Sequence, residues 1–416
     1  MQTAKRILTY LAVGFIVLLL GGLTGWYLLL RSKTAAINTV DTGRGLSSSV
    51  SAFGGTLGST VANTVQALLG SGTTTPQQTP AQRLWQVDGA PVAGEAFASG
   101  GTAHASSTTL LYMERGNGYV FSADASTQQT RRLTNTLLPN TYQALFVPPE
   151  NAVLIRSLSA QGVITTTYAN FSATTSDPSS VLTALTSEPL PNNIRRIAVD
   201  PSGSSLFTLS LDPTTGAAIG ETVSLPKLAQ KQAFISPFAS WEVAFSPQGI
   251  TLTETPADGL AGYAYLLKNT GALSPLFGPL PGLSVLPNPS QKAFLYSTSD
   301  NGTLSLYAQV GTGAPKALSI HTVVDKCVWA PGASLTAYCA VPNSTSSTHF
   351  LDDWYQGIVH TVDTWWIIDA SAGTAQELYA PTQALDAERP TTDPSGNYIA
   401  FINGGDQSLW LLKIVQ

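Results

Sequence analysis

The chain has 416 residues, with 20 Lys and Arg set against 25 Asp and Glu for a net charge of -5. That balance supplies no basic footprint able to displace phosphate counterions, which excludes nucleic acid as a partner. Charged residues make up only 11% of the chain, against about 25% in ordinary globular proteins, so neutral polar groups must cover most of the surface.

The first element is an uncharged run from Ile7 to Leu30, rich in Leu, Val and Ile. As a helix it is long enough to span a hydrocarbon core of about 30 Å. Lys5 and Arg6 precede it, Trp26 and Tyr27 stand near its far end, and Arg31 and Lys33 follow, as flanks and interfacial aromatics of a membrane span would. A cleaved signal peptide is the competing reading, but its apolar region should be about 7 to 15 residues. The expectation is a retained signal-anchor over residues 1–33. Flanking charge is nearly balanced, so orientation is read from the Ser/Thr-rich region that follows and from the cysteine pair, both of which favour an extracytoplasmic domain at a bacterial surface or in a periplasm.

Residues 34–82 read as a Ser/Thr/Gly-rich stalk. From Leu46 to Gln82 no residue is charged, and Leu46, Val50, Phe53, Leu57, Val61, Val65 and Leu68 recur every three or four positions. That is helical spacing, through which copies could associate; Gly54, Gly55 and Gly58 oppose a helix and leave a flexible spacer as the alternative.

From residue 83 to 416 one motif repeats: an apolar strand, a tight Pro/Ser/Gly/Asn turn, a second strand, a further turn and a third strand. The clearest copy is Thr392-Asp393-Pro394-Ser395-Gly396-Asn397 leading into Tyr398-Ile399-Ala400-Phe401-Ile402, then Gly404-Gly405-Asp406 and Leu409-Trp410-Leu411-Leu412. Others run through Asp200-Pro201-Ser202-Gly203, Ser246-Pro247-Gln248-Gly249, Asn288-Pro289-Ser290 and Ala330-Pro331-Gly332, with two weaker ones around Leu110-Leu111-Tyr112 and Phe146-Val147-Pro148-Pro149. Pro presets the first corner of such turns and Gly or Asn accepts the positive φ that follows. A further set, Asp212 to Gly216, Asn269-Thr270-Gly271, Gly311-Thr312-Gly313 and Asp369 to Gly373, fits the turn into a fourth strand. Seven four-stranded units of about 40 to 60 residues specify an all-β propeller of about seven blades. The last unit ends after three strands, so Leu84-Trp85-Gln86-Val87 is expected to pair near 409–414 and close the ring.

The Asp-Pro-Ser-Gly and Ser-Pro-Gln-Gly turns ahead of Ile-Ala-Phe-type strands, with Leu133-Thr134 after Arg131-Arg132, resemble the repeats of TolB and WD40-like propellers. The resemblance covers residues 83–416. It implies a propeller suited to binding and carries over no catalytic residue.

Cys327 and Cys339 are the two cysteines. They flank the turn at Ala330-Pro331-Gly332 and fall opposite each other on adjacent strands, where a separation of about 4.5 to 5.5 Å permits a disulfide; two buried thiols are the alternative. No metal site is expected from two thiols and four scattered histidines, nor any cofactor.

Between Val341 and Thr361 a long insertion replaces a tight hairpin. Its Asp352, Asp353, Trp354 and Tyr355 are the candidate binding residues, because large rigid aromatics beside acids suit recognition. The other reading has Trp354 and Tyr355 pinning the insertion while Asp352 and Asp353 cap its turn. Trp365 and Trp366, adjacent on a strand, must point to opposite faces, leaving one for the core.

No nucleophile elbow, zincin helix or phosphate loop appears, so no catalytic residue is assigned. The expected function is non-catalytic binding of a protein or glycan at the cell envelope. The alternatives are a structural subunit assembled through the stalk and a propeller hydrolase using Asp363, Asp386, Glu388 and His360 at the central channel.

Overall fold

The computed structural model describes residues 82–98, 108–149, 151–171, 182–345 and 347–414. The expected anchor over 7–30 and the stalk stripe over 46–69 lie outside the described residues. Among the described residues no helix is long and apolar enough to cross a membrane.

The described chain forms seven four-stranded antiparallel sheets, each built from consecutive strands except the last. Each of the seven sequence repeats becomes one blade of a β-propeller. The first strands of the blades are Val92–Phe97, Thr141–Val147, Ile194–Val199, Trp241–Ser246, Ser284–Pro287, Cys327–Trp329 and Ala387–Thr392. First strands of neighbouring blades lie against one another around the axis, as in blades 1 and 2, 3 and 4, 6 and 7, and 7 and 1. At Gly94 the approach is so tight that a Cβ would stand 1.9 Å from the Ala144 carbonyl oxygen, so only glycine fits.

Blades stack face to face, which buries second strands on both sides. Thr109–Glu114, Ala152–Leu158 and Tyr398–Asn403 are accordingly apolar over most of their length and almost wholly buried, whereas the outermost strands Gln129–Arg132 and Thr186–Pro189 are polar and exposed. Blade 6 shows how each face is used. One side packs Trp329, Cys339 and Ile368 against Leu295 of blade 5, and the other packs Tyr338, Ala340 and Trp365 against Ile399 and Phe401 of blade 7. Trp366 belongs to the first side and Trp365 to the second, so both tryptophans serve a core.

Ring closure follows the expected pairing. Leu84–Asp88 lies beside Leu409–Lys413 with Leu84 opposite Leu412, Trp85 opposite Leu411 and Gln86 opposite Trp410. Arg83 reinforces it, its guanidinium donating to the Leu378 carbonyl at 3.0 Å and stacking over the Tyr379 ring. Cys327 and Cys339 are paired in register and joined by a disulfide, with Cα atoms 4.1 Å apart.

One expected turn falls elsewhere. Residues 212–216 join the second and third strands of blade 3, not the third and fourth; residues 225–228 make the latter turn, with Leu228 at a φ of 53°. Asp212 accepts the Thr214 and Thr215 amides through its side chain, and Asp369 does the same for Ser371 and Ala372 at a true third-to-fourth turn. The same local chemistry builds both hairpins, so composition did not tell them apart.

Candidate functional site at the loop face

Because every blade is a meander, the turns between second and third strands and the connections from blade to blade emerge on one face of the ring. The insertion in blade 6 rises on this loop face and contains a short helix, Phe350–Tyr355. Phe350, Leu351 and Trp354 face inward and pack on Leu304 and Val323. Their spacing puts three apolar groups on one side of a helix too short to hold itself together, so tertiary burial supplies what propensity lacks.

The four candidate binding residues have distinct partners. Asp352 accepts the Asp258 amide at 3.1 Å, tying the insertion to blade 4, and Asp353 accepts the Ser347 hydroxyl within the insertion. Asp258 in turn accepts from Ser299 at 2.5 Å and from the Gly302 amide at 3.1 Å. Trp354 is buried and its indole N–H donates to Asp386 at 3.1 Å. Tyr355 keeps 42% of its surface exposed while its hydroxyl donates to Asp325 at 2.7 Å. Burial and the neighbouring carboxylate push that hydroxyl's pKa well above its ordinary value, so it stays protonated and donating. Asp352, Asp353 and Trp354 thus hold the insertion in place, and Tyr355 is the one of the four that offers open surface.

Beneath Trp354 lies a buried charge cluster. Lys326, fully enclosed, donates to Asp386 at 2.5 Å, to Asp363 and Thr361 at 2.8 Å each, and its ammonium lies 4.7 Å from the Trp354 ring centre. His360 reaches Asp386 from the solvent side at 3.0 Å. The two aspartates divide unequally. Burial pushes both upward, but Lys326, Thr361 and His360 together outweigh it at Asp386, whose pKa is lowered. At Asp363, burial prevails over Lys326 and the pKa is raised, and its Oδ1 is buried without a partner. Glu388 is also raised, first by burial and then by Asp386. A Cβ at Gly404 would stand 2.6 Å from the Glu388 carboxylate and 2.7 Å from that of Asp386, so any larger residue there would have to displace both. The channel set Asp363, Asp386, Glu388 and His360 is therefore brought together, around a lysine whose donors are taken up by oxygen atoms. That arrangement fastens blade 6, its insertion and blade 7; it presents no nucleophile beside a free base.

A second feature opens at the channel mouth between blades 2 and 3, a cavity of about 510 Å³ lined by Tyr142, Gln143, Arg156, Arg195, Arg196 and Arg389 among others. Arg196 forms a two-pronged ion pair with Glu242, at 2.6 and 2.7 Å. Arg156 is 5% exposed, donates to the Gln143 side chain at 2.6 Å and the Ile194 carbonyl at 2.5 Å, and sits 5.3 Å over the Tyr142 ring.

The apolar surface is equally one-sided. Eight large hydrophobic residues are exposed among the described residues: Leu137, Leu158, Ile235, Phe238, Leu260, Tyr355, Ile358 and Val362. Each lies on a blade-to-blade connection, on a second-to-third turn, or at a strand end beside one. All eight therefore belong to the loop face, and among the described residues the opposite face has none.

No protein-family model and no curated protein matches the chain. Among solved structures it is similar to an oligogalacturonate lyase in complex with manganese, at 9% identity and a TM-score of 0.52, over 74% of this chain and 87% of that one. The oligogalacturonate lyase of Vibrio parahaemolyticus aligns at 10% identity and a TM-score of 0.52, over 78% of this chain and 91% of that one. The β-propeller domain of the trilobed protease from Pyrococcus furiosus aligns at 9% identity and a TM-score of 0.48, over 74% and 94%. Likeness at this identity is likeness of fold, and the fold is the seven-bladed propeller.

Proposed function

We propose that the chain is a non-catalytic interaction module of the TolB and WD40-like kind, anchored in a membrane through Ile7 to Leu30, which engages a protein partner outside the cytoplasm with its loop face. The observation that carries this reading is the placement of all eight exposed large hydrophobic residues of the described chain on that one face, a one-sided bias that favours this face over the other as an interaction surface. Six of the eight are aliphatic, with Phe238 and Tyr355 the aromatic pair. Sugar rings stack on aromatic planes, whereas aliphatic Leu, Ile and Val side chains suit a protein surface, so a protein is favoured over a glycan. The Cys327–Cys339 bond supports an oxidising compartment.

The test places a photo-crosslinking amino acid in the full-length chain, in its native membrane, at Leu137, Leu260 or Ile358, and on the opposite face at Ser202, Ser290 or Pro394. The expected result is a discrete protein adduct from the loop-face positions alone. Adducts of equal yield from both faces, or from neither, would overturn the reading.

A further inference from the structure

The cavity between blades 2 and 3 concentrates positive charge that the protein does not neutralise. Of its four arginines, Arg196 has Glu242 as a partner, and Arg389 lies within the fields of Glu95 and Glu388. Arg156 and Arg195 have no carboxylate within ion-pair distance among the described residues. Arg156 is the telling one. It is 95% removed from solvent by its 5% exposure, its named acceptors are a side-chain amide and backbone carbonyls, and its Nε is buried with no acceptor at all. Burying a guanidinium without a counter-ion is costly, and leaving one of its donors unmet adds to the cost. Arg195, exposed at the same mouth, adds a second uncommitted fork.

We propose that this cavity is an oxyanion site, which takes a carboxylate or phosphate group between Arg156 and Arg195. The planar guanidinium fork matches both groups in two-point fashion. A volume of about 510 Å³ is that of a small-molecule site, so the pocket admits the anionic end of a ligand along with part of its body. The rim places Leu158, one of the exposed apolar residues, beside the arginines, as a ligand with an acidic head and an apolar flank would need. Such a group arrives either on a free small molecule or on an acidic side chain of the loop-face partner. The inference rests on the loop-face reading only in this second case, and its test needs no partner.

The full-length chain in lipid nanodiscs is titrated with citrate and, separately, inorganic phosphate, against sodium chloride of equal ionic strength, reading heat release and thermal midpoint. Saturable binding is expected for at least one anion. Arg195→Gln should weaken it about tenfold or more, the worth of a charge-assisted hydrogen bond, with no change in the anion-free midpoint, because Arg195 is exposed. Lys292→Gln, an exposed cation on the opposite face, should change nothing. Arg156→Lys keeps the charge but loses the fork, and should weaken binding comparably. Absence of saturable binding by both anions below about 10 mM, or equal affinity in the parent and Arg195→Gln, overturns the site. Citrate that also suppresses the loop-face adducts places the anion on the partner; citrate that binds without touching them places it on a separate ligand. Adducts missing from the loop face before any anion is added, with anion binding intact, would sink the loop-face reading alone.

Discussion

Glu95, on the first strand of blade 1, provides the sharpest energetic test of the channel's interior. Its residue surface is partly open, yet Oε2 itself is shut off from solvent and has no hydrogen-bond partner. Burial raises its pKa from 4.5 to about 7, against the opposing pull of the Arg389 charge. An acid whose pKa is higher folded than unfolded keeps its proton in the native state while the unfolded chain has already released it. Between pH 4.5 and 7 the native state therefore binds more protons, and stability falls as pH rises. A displacement of this size corresponds to about 3 kcal/mol once both states are ionised. Glu95→Gln removes the titration while keeping shape and a polar end. Denaturant unfolding of the full-length protein and of this variant, from pH 4 to 8.5, should give equal stabilities near pH 4 and a variant advantage that grows to about 2 to 4 kcal/mol by pH 8. A difference that does not change with pH would refute the reasoning, as would a variant that loses ground at high pH, since the latter would mean that Arg389 and not burial governs the group.

Further outcomes follow from the same structure. Lys326→Met leaves Asp363 and Asp386 facing each other without their cation, and should cost about 3 to 5 kcal/mol in denaturant unfolding, while exchange of Lys326, Asp363 and Asp386 together for apolar residues should recover part of that loss. Replacing Cys327 and Cys339 by serine opens a loop of sequence separation 12 and should lower stability by about 2 to 3 kcal/mol, an effect reproduced by reductant on the parent and absent from the variant. Leu84→Asp places a charge in the closing strand opposite Leu412 and should make both ends of the propeller susceptible to limited proteolysis at concentrations the parent resists. Asp386, with its pKa lowered by Lys326, Thr361 and His360 against burial, contributes stability that is present above the ordinary carboxylate range and lost as pH falls through it; Asp386→Asn should flatten that acid limb of the unfolding curve.

The blade number, the disulfide and the closing strand were all legible in the sequence, each for a local reason. Turn chemistry repeats because seven equivalent corners need the same backbone angles. The Cys327–Cys339 pairing needed only strand parity across one short turn. The last repeat holds three strands of its own, which leaves its fourth to Leu84–Asp88. What could not be read was anything assembled across blades. Lys326 lies 37 positions from Asp363 and 60 from Asp386, and the arginine cavity draws on blades 2, 3 and 7. No spacing rule connects such positions until the ring is closed. The six-residue helix of the insertion was invisible for a different reason: Phe350, Leu351 and Trp354 mark one face, but a single turn and a half is too short for periodicity to stand out.

One signal was nevertheless available. In a chain with only 11% charged residues, the first strands and the residues just ahead of them hold a disproportionate share of charge: Glu95, Arg195 with Arg196, Glu242, Asp325 with Lys326, and Glu388 with Arg389. A strand whose blade is packed on both faces has little use for such side chains in its core, so each needs a polar partner or an opening between the inner strands, toward the channel. Channel position alone does not decide their role, because the same surroundings produce two opposite outcomes. Lys326 meets carboxylates on adjoining strands and becomes a structural fastening. Arg156, reaching the channel from a second strand, meets amides and carbonyls that leave its charge unanswered. The difference lies in which blades face each other across the mouth, and it separates a residue that serves the fold from one that awaits a ligand.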